Sequence, residues 1–326
     1  MNASDVSRSG EPIGLCTRRK RSGWSVLLRA MKAHPWIYVM LLPGVLYFLI
    51  FSYLPMFGVV IAFQRFNPYQ GILQSRWVGF ANFLRFFESV FFWRLIRNTL
   101  LLNAYGLLVG FPAPIILALM LNEVRRGWFK RIAQTFTYLP YFISTVVVAT
   151  IIMAILAPVE QGGLANTLLT ALGRPSIDFM NRPEWFRHIY IWSDAWQFTG
   201  WNSIIYLAAL AAVDPALYES AEIDGAGRFA KMWHISLPSI LPVIMILLLL
   251  SIGYMLSVGF EKVFMLYNAS TYETADVIAT YVYRAGLLGS DYGFGAAVGL
   301  FSSVVNLIMI VVFNSIARGL KQQTLW

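Results

Sequence analysis

Glu219 and Glu222 stand three residues apart, with Asp224 just behind them, in the stretch Tyr218-Glu219-Ser220-Ala221-Glu222-Ile223-Asp224-Gly225-Ala226-Gly227. Side chains at that spacing share one side of a helix. Ile235-Ser236-Leu237-Pro238 follows, and membrane-length apolar runs flank the whole stretch. An acidic turn, a glycine break, a basic amphipathic turn and a proline stop suit the docking of another protein at a membrane surface. A second polar group interrupts the apolar run just before this stretch: Trp192, Asp194, Trp196, Gln197, Trp201 and Asn202. Asp194 and Gln197 lie one helical turn apart, with Asn202 about two turns on. Polar groups at membrane depth are costly and face a cavity or a partner. A water-filled sugar site of aromatics and hydrogen-bonding groups fits this set. Hydrogen bonding between helices fits it equally, and an interfacial belt accounts for the tryptophans. Tyr254 and Asn306 are candidates of the same kind in two other runs.

Catalytic chemistry has no foothold here. A phosphate-binding loop of the Walker type needs Gly-Lys before Ser or Thr, and none of the lysines follows a glycine. His34, His188 and His234 form no HExxH motif and no cluster. Cys16 is the single cysteine, so a disulfide within the chain and a cysteine metal site are excluded. The residues before Cys16 are polar, which argues against a lipoprotein box and a cleaved signal peptide. No metal and no cofactor is expected in this chain.

The elements that must position these residues follow from composition. Of 326 residues, 58% are hydrophobic and 13% charged, about half the charge of an ordinary soluble domain. One spanning helix needs about 20 apolar residues, and six such runs occur, near 36–62, 98–121, 137–157, 189–212, 240–259 and 293–316. The expected fold is an all-α membrane protein of six transmembrane helices. It comprises a basic tail over 1–33, a six-span domain over 34–320 with a loop at 214–239, and a short tail over 321–326. The net charge of +9 suits topology and anionic lipid better than nucleic acid. Fifteen of the 25 Lys and Arg fall on one side if the N-terminus is inside. Thr17-Arg18-Arg19-Lys20-Arg21 precedes the first span, where such bias weighs most. Both termini and the 214–239 loop are then cytoplasmic.

Within that loop, Asp214-Pro215 reads as an N-cap with proline at the first helical position. Ala216 to Asp224 forms a short helix that Gly225 breaks. A second stretch carries Phe229, Met232 and Trp233 on one face, and Pro238 is expected to end it. The loop resembles the "EAA" signature of permease subunits of binding-protein-dependent ABC importers: Glu-Ala-Ala, three residues, Gly, nine residues, Ile, one residue, Leu-Pro. Glu219, Ala221, Gly225, Ile235, Leu237 and Pro238 match at that spacing, and Ser220 for the first Ala is the one departure. Asp224 and Ala226 match the sugar-importer form. The run Leu266-Tyr267-Asn268 and the later Asp276-Val277-Ile278-Ala279-Thr280-Tyr281-Val282-Tyr283-Arg284 resembles the polysaccharide branch of that family.

The resemblance implies a type I importer permease fold and a coupling role for the loop. It implies that Glu219 pairs with a basic residue of an ATPase and that Gly225 turns the chain between two coupling helices. The implied partners are a second, homologous permease subunit (a heterodimer), two ATPase subunits holding ATP and Mg, an exported solute-binding protein, and lipid. The implied site is the bacterial cytoplasmic membrane, and the implied cargo an oligo- or polysaccharide, including uronic-acid polymers such as alginate. A secondary carrier with no ATPase is the competing reading. It calls for charged ion sites in mid-span, and this chain has little there beyond Asp194. A membrane enzyme calls for paired carboxylates or a metal cluster, which the sequence lacks.

Overall fold

The computed structural model describes residues 33, 35–124 and 126–319. Most of the two expected tails, with Cys16 and His34, therefore lies outside the described residues. Two compact units divide the chain, Met1–Gly58 and Val59–Trp326. In the first, α1 (Pro35–Phe48) runs into a wide π turn (Leu49–Tyr53) and a last short turn (Leu54–Met56). None of these side chains is buried. A helix apolar all round is a membrane span or is covered by a partner.

The second unit opens on a small hairpin in which β1 (Gln64–Arg65) pairs antiparallel with β2 (Arg76–Trp77). Apart from this ladder the regular structure among the described residues is helical. In chain order come α2 (Phe92–Gly110), α3 (Pro112–Asn122), α4 (Gly127–Tyr138), α5 (Thr145–Leu156) and the long α6 (Pro183–Ala211). They are followed by α7 (Pro215–Ile223), α8 (Arg228–Lys231), α9 (Leu237–Gly253), α10 (Phe260–Leu266) and α11 (Tyr292–Gly319). Four helical runs are long and apolar enough to cross a membrane: Pro35–Phe63, Phe92–Asn122, Arg228–Gly253 and Tyr292–Gly319. Two bent pairs, α4 with α5 at 100° and α6 with α7 at 72°, bring the total to six where each pair counts as one span.

The third expected run, 137–157, departs from a straight span. A 3-10 turn at Leu139–Phe142 carries Pro140, which brings no N–H to a ladder. Ser144 then caps a new helix by accepting a hydrogen bond from the Val147 N–H at 3.4 Å. The 12 residues of α5 rise only about 18 Å, short of the ~30 Å hydrocarbon core. Pro238 also departs from expectation, because it does not end a helix. Helix continues from Arg228 to Gly253 through a π turn at Met232–Ser236, where the Leu237 N–H reaches back to the Met232 carbonyl. This wide turn absorbs the Pro238 ring and the hydrogen bond that proline cannot make. The fifth span then stops at Gly253, earlier than the expected 259.

The hub is α6. One buried cluster joins Leu102 of α2, Ala149 of α5, Tyr190 and Ile191 of α6, and Val263 and Leu266 of α10. Another joins Ile115 and Leu119 of α3, Tyr206 and Leu210 of α6, and Ile240 and Ile244 of α9. Lipid tails are as apolar as these side chains, so close packing rather than water exclusion must hold the helices together. Gly200 shows how close. A Cβ there would run into the Thr137 carbonyl at the end of α4, so only glycine lets α6 touch that backbone.

Candidate functional site

Local capping signals build the knob at 214–239. The Asp214 carboxylate accepts the Ala216 N–H at 2.9 Å, and Pro215 occupies the first turn. At the far end the Ala226 N–H donates to the Ala221 carbonyl at 2.8 Å and the Gly225 N–H to the Glu222 carbonyl at 3.1 Å. Those two bonds make a complete Schellman close. It requires a left-handed residue, and Gly225 has φ +78°. The two arms are fastened by Lys231 Nζ on Glu222 Oε1 at 2.8 Å and by Tyr218 Oη against the buried Ser236 Oγ at 2.9 Å. Ile223, Phe229 and Trp233 stand 87%, 82% and 66% exposed. Such a patch on an otherwise fastened element marks a docking surface. Glu222 is used within the knob, whereas Glu219 is exposed and no cation among the described residues pairs with it. Asp224 is the last residue of the first arm and Ala226 lies just past the turn. Ile235 lies within the π turn, and Leu237 and Pro238 open α9 just after it.

Replacing Gly225 by Val sets a β-branched residue at positive φ, at a cost of about 1–2 kcal/mol. On the coupling role that the resemblance implies, the Gly225→Val variant should reach the membrane in normal amount and lose several-fold in cargo-stimulated ATP hydrolysis. Wild-type stimulation in this variant would refute the need for the turn.

A cavity of about 700 Å³ lies between α2, α6 and α9, within the usual range for small-ligand sites. Of the residues singled out from sequence, Asp194, Trp201 and Asn202 line it. Asn103, Thr199, Ser251, Tyr190 and Tyr206 supply further polar groups. Trp201 lies flat on Tyr141, ring centroids 4.3 Å apart and planes 3° from parallel. The other five candidates lie elsewhere, Trp192 among them on an exposed side of α6. Trp196, two residues beyond Asp194, is turned by ~200° about the helix and is half exposed. Gln197 is buried, and its Nε2 donates at 3.1 Å to the Ile143 carbonyl in the break before α5. Tyr254 ends α9 and is exposed. Asn306 stitches α11 to the turn after α9, accepting the Leu256 N–H at 2.9 Å and donating to Ser257 Oγ at 3.0 Å.

Sequence reasoning missed Lys262. It belongs to α10, is 3% exposed, and places Nζ 3.3 Å from Asp194 Oδ1. The available signal was Asp194 itself, since an acid at membrane depth calls for a cation. The Asp276–Arg284 run, part of the resemblance to the polysaccharide branch, is organised about a fully buried carboxylate. Asp276 receives both Arg284 Nη atoms at 2.9 and 2.8 Å, Arg94 Nη2 at 3.0 Å and Thr280 Oγ1 at 2.9 Å. Asn98 adds hydrogen bonds to the Asp276 and Glu273 carbonyls at 3.0 and 2.9 Å. Burial alone would lower the Arg284 pKa, but the hydrogen bond and charge of Asp276 outweigh it and the net shift is upward. Arg284 is therefore a permanent cation.

Residues 110–322, which hold the knob and most of the cavity wall, match the family described as the binding-protein-dependent transport system inner membrane component. The chain belongs to that family. It is 46% identical over 309 residues to the polygalacturonan/rhamnogalacturonan transport system permease protein YteP of Bacillus subtilis (strain 168), covering 95% of this chain and 94% of YteP. It is 46% identical over 299 residues to Protein LplB of the same organism, covering 92% and 93%. Among solved structures it resembles a bacterial ABC transporter involved in the import of the acidic polysaccharide alginate, with TM-score 0.82 and 45% identity over 90% of this chain and 98% of that one. A bacterial alginate ABC transporter in complex with an alginate pentasaccharide-bound periplasmic protein matches with TM-score 0.83 and 43% identity, over 92% and 99%. The chain is thus the permease component of a binding-protein-dependent ABC importer, a transport subunit rather than an enzyme. As a permease of this family it carries the type I fold expected from its sequence.

Proposed function

We propose that the chain is one half of the membrane pathway of an ATP-driven importer for oligo- or polysaccharides, with acidic, uronate-containing chains as the cargo class. It works in the bacterial cytoplasmic membrane by alternating access. Both tails, 1–33 and 321–326, and the 214–239 knob face the cytoplasm. A second, homologous permease completes the pathway, two ATPase subunits with ATP and Mg dock on the knobs, and a solute-binding protein delivers cargo from outside. The cargo of YteP and of the alginate transporter supports the acidic class. Resemblance of the loop to the "EAA" signature supports the ATPase.

One observation carries the mechanical reading. The cavity-lining helix α6 and the first knob helix α7 are separated by residues 212–214 alone and meet at 72°. A push on α7 therefore arrives at the wall holding Asp194, Trp201 and Asn202 without crossing a flexible loop. Reconstitution into proteoliposomes with the partner permease, ATPases and binding protein tests this. Uptake of oligogalacturonate should require hydrolysable ATP and cease when the ATPases are omitted. Uptake down a gradient without them would establish a carrier instead.

A further inference from the structure

Lys262 and Asp194 form an unequal pair. The lysine side chain is 4% exposed and the aspartate 43%, and Asp194 lines the cavity while Lys262 stands behind it. Lys262 Nζ has three protons to donate. Among the described residues its one hydrogen-bond partner is Asp194, at the long distance of 3.3 Å, and it also sits 5.7 Å from the centre of the Tyr190 ring. Tyr190 is a cavity residue too. The ammonium thus meets the cavity only through a carboxylate and an aromatic face.

A buried ammonium stripped of its counter-ion is heavily penalised, whereas exchange of one carboxylate for another leaves it paired. Asp194 is the partner able to leave, because much of its surface already meets the cavity. We propose that Lys262 is a carboxylate-binding residue for acidic cargo, held in readiness by Asp194, which a uronate group of the sugar chain displaces. Asp194 swings into the cavity as the cargo carboxylate takes its place on Nζ. A neutral sugar offers no replacement charge, so the pair stays closed against it. Lys262 then discriminates by charge inside the membrane, after the binding protein has made its own selection. This rests on the acidic cargo proposed above.

The test uses the assembled importer in lipid nanodiscs without the binding protein. Calorimetric titration compares trigalacturonate with its methyl ester, which keeps the skeleton and removes the charge. Wild type should bind the acid at least tenfold more tightly than the ester. The Asp194→Asn/Lys262→Met double variant, which removes both charges together and so orphans neither, should bind the acid at least tenfold more weakly and the ester within twofold of wild type. Asp194→Asn alone should bind the acid more tightly than wild type. Parallel loss of both ligands would make the pair a mere staple between α6 and α10, and unchanged acid binding in the double variant would remove Lys262 from recognition. Absence of any acid preference in wild type would instead strike the acidic-cargo reading itself, and this inference with it.

Discussion

In the importer proposed above, a Glu219→Lys permease should reach the membrane in normal amount, transport nothing, and leave ATP hydrolysis deaf to cargo. The expectation rests on where the charge sits. Glu219 is the fifth residue of α7, beyond the first turn in which the helix dipole is strongly felt, so reversal costs the helix well under ~1 kcal/mol. The Schellman close and the Lys231–Glu222 and Tyr218–Ser236 fastenings do not involve its side chain. Folding is therefore spared. Docking is not. Glu222 is already engaged by Lys231 and cannot stand in. Loss of one partner of a buried interfacial charge pair costs about 2–5 kcal/mol, or about 30-fold to several thousand-fold at 1.4 kcal/mol per decade, and reversal adds repulsion. Glu219→Gln should fall between. Uptake and cargo-stimulated ATPase rates in proteoliposomes, normalised to protein per vesicle, decide it. Full transport by Glu219→Lys would end the coupling model.

Asp276→Ala should be the most destabilising single change in the Asp276–Arg284 run. The carboxylate is fully buried and accepts from Arg284, Arg94 and Thr280. Removing one partner of a buried charge network costs about 3–5 kcal/mol. The arginine side chains are 30% and 27% exposed, so water relieves part of this and the lower end is expected. Asp276→Asn keeps one acceptor oxygen and should lose less. Membrane proteins often unfold irreversibly, so the proper readout is the half-life of the detergent-solubilised importer at fixed temperature. A half-life equal to wild type in Asp276→Ala would show that the network carries no stability.

The knob was legible from sequence because its determinants are local. Asp214, Pro215 and Gly225 each act on backbone within four residues, and the structure uses all three at those places. Pro238 misled because a proline's meaning depends on the turn before it, and no sequence rule distinguishes a π turn from a stop. The cavity was half legible. A helix of 3.6 residues per turn separates Trp196 from Asp194, but which side faces the cavity depends on what packs against α6. Gln197 read equally as a cargo ligand or as a hydrogen bonder between helices, and it serves the Ile143 carbonyl, a partner 54 residues away. Lys262 lies 68 residues from Asp194 and Arg94 lies 182 from Asp276. Such pairs are made by the fold alone. The 100° bend before α5 was hidden for a related reason, since apolar composition runs on through Pro140 while the backbone does not.

The exposed Ile223, Phe229 and Trp233 have a bearing on cellular housekeeping. In the importer proposed above, the surface that would bear load is greasy in an orphan subunit. A copy made in excess would then advertise itself to chaperones and proteases until the proposed ATPase covered it, which would hold subunit numbers in proportion with no dedicated sensor.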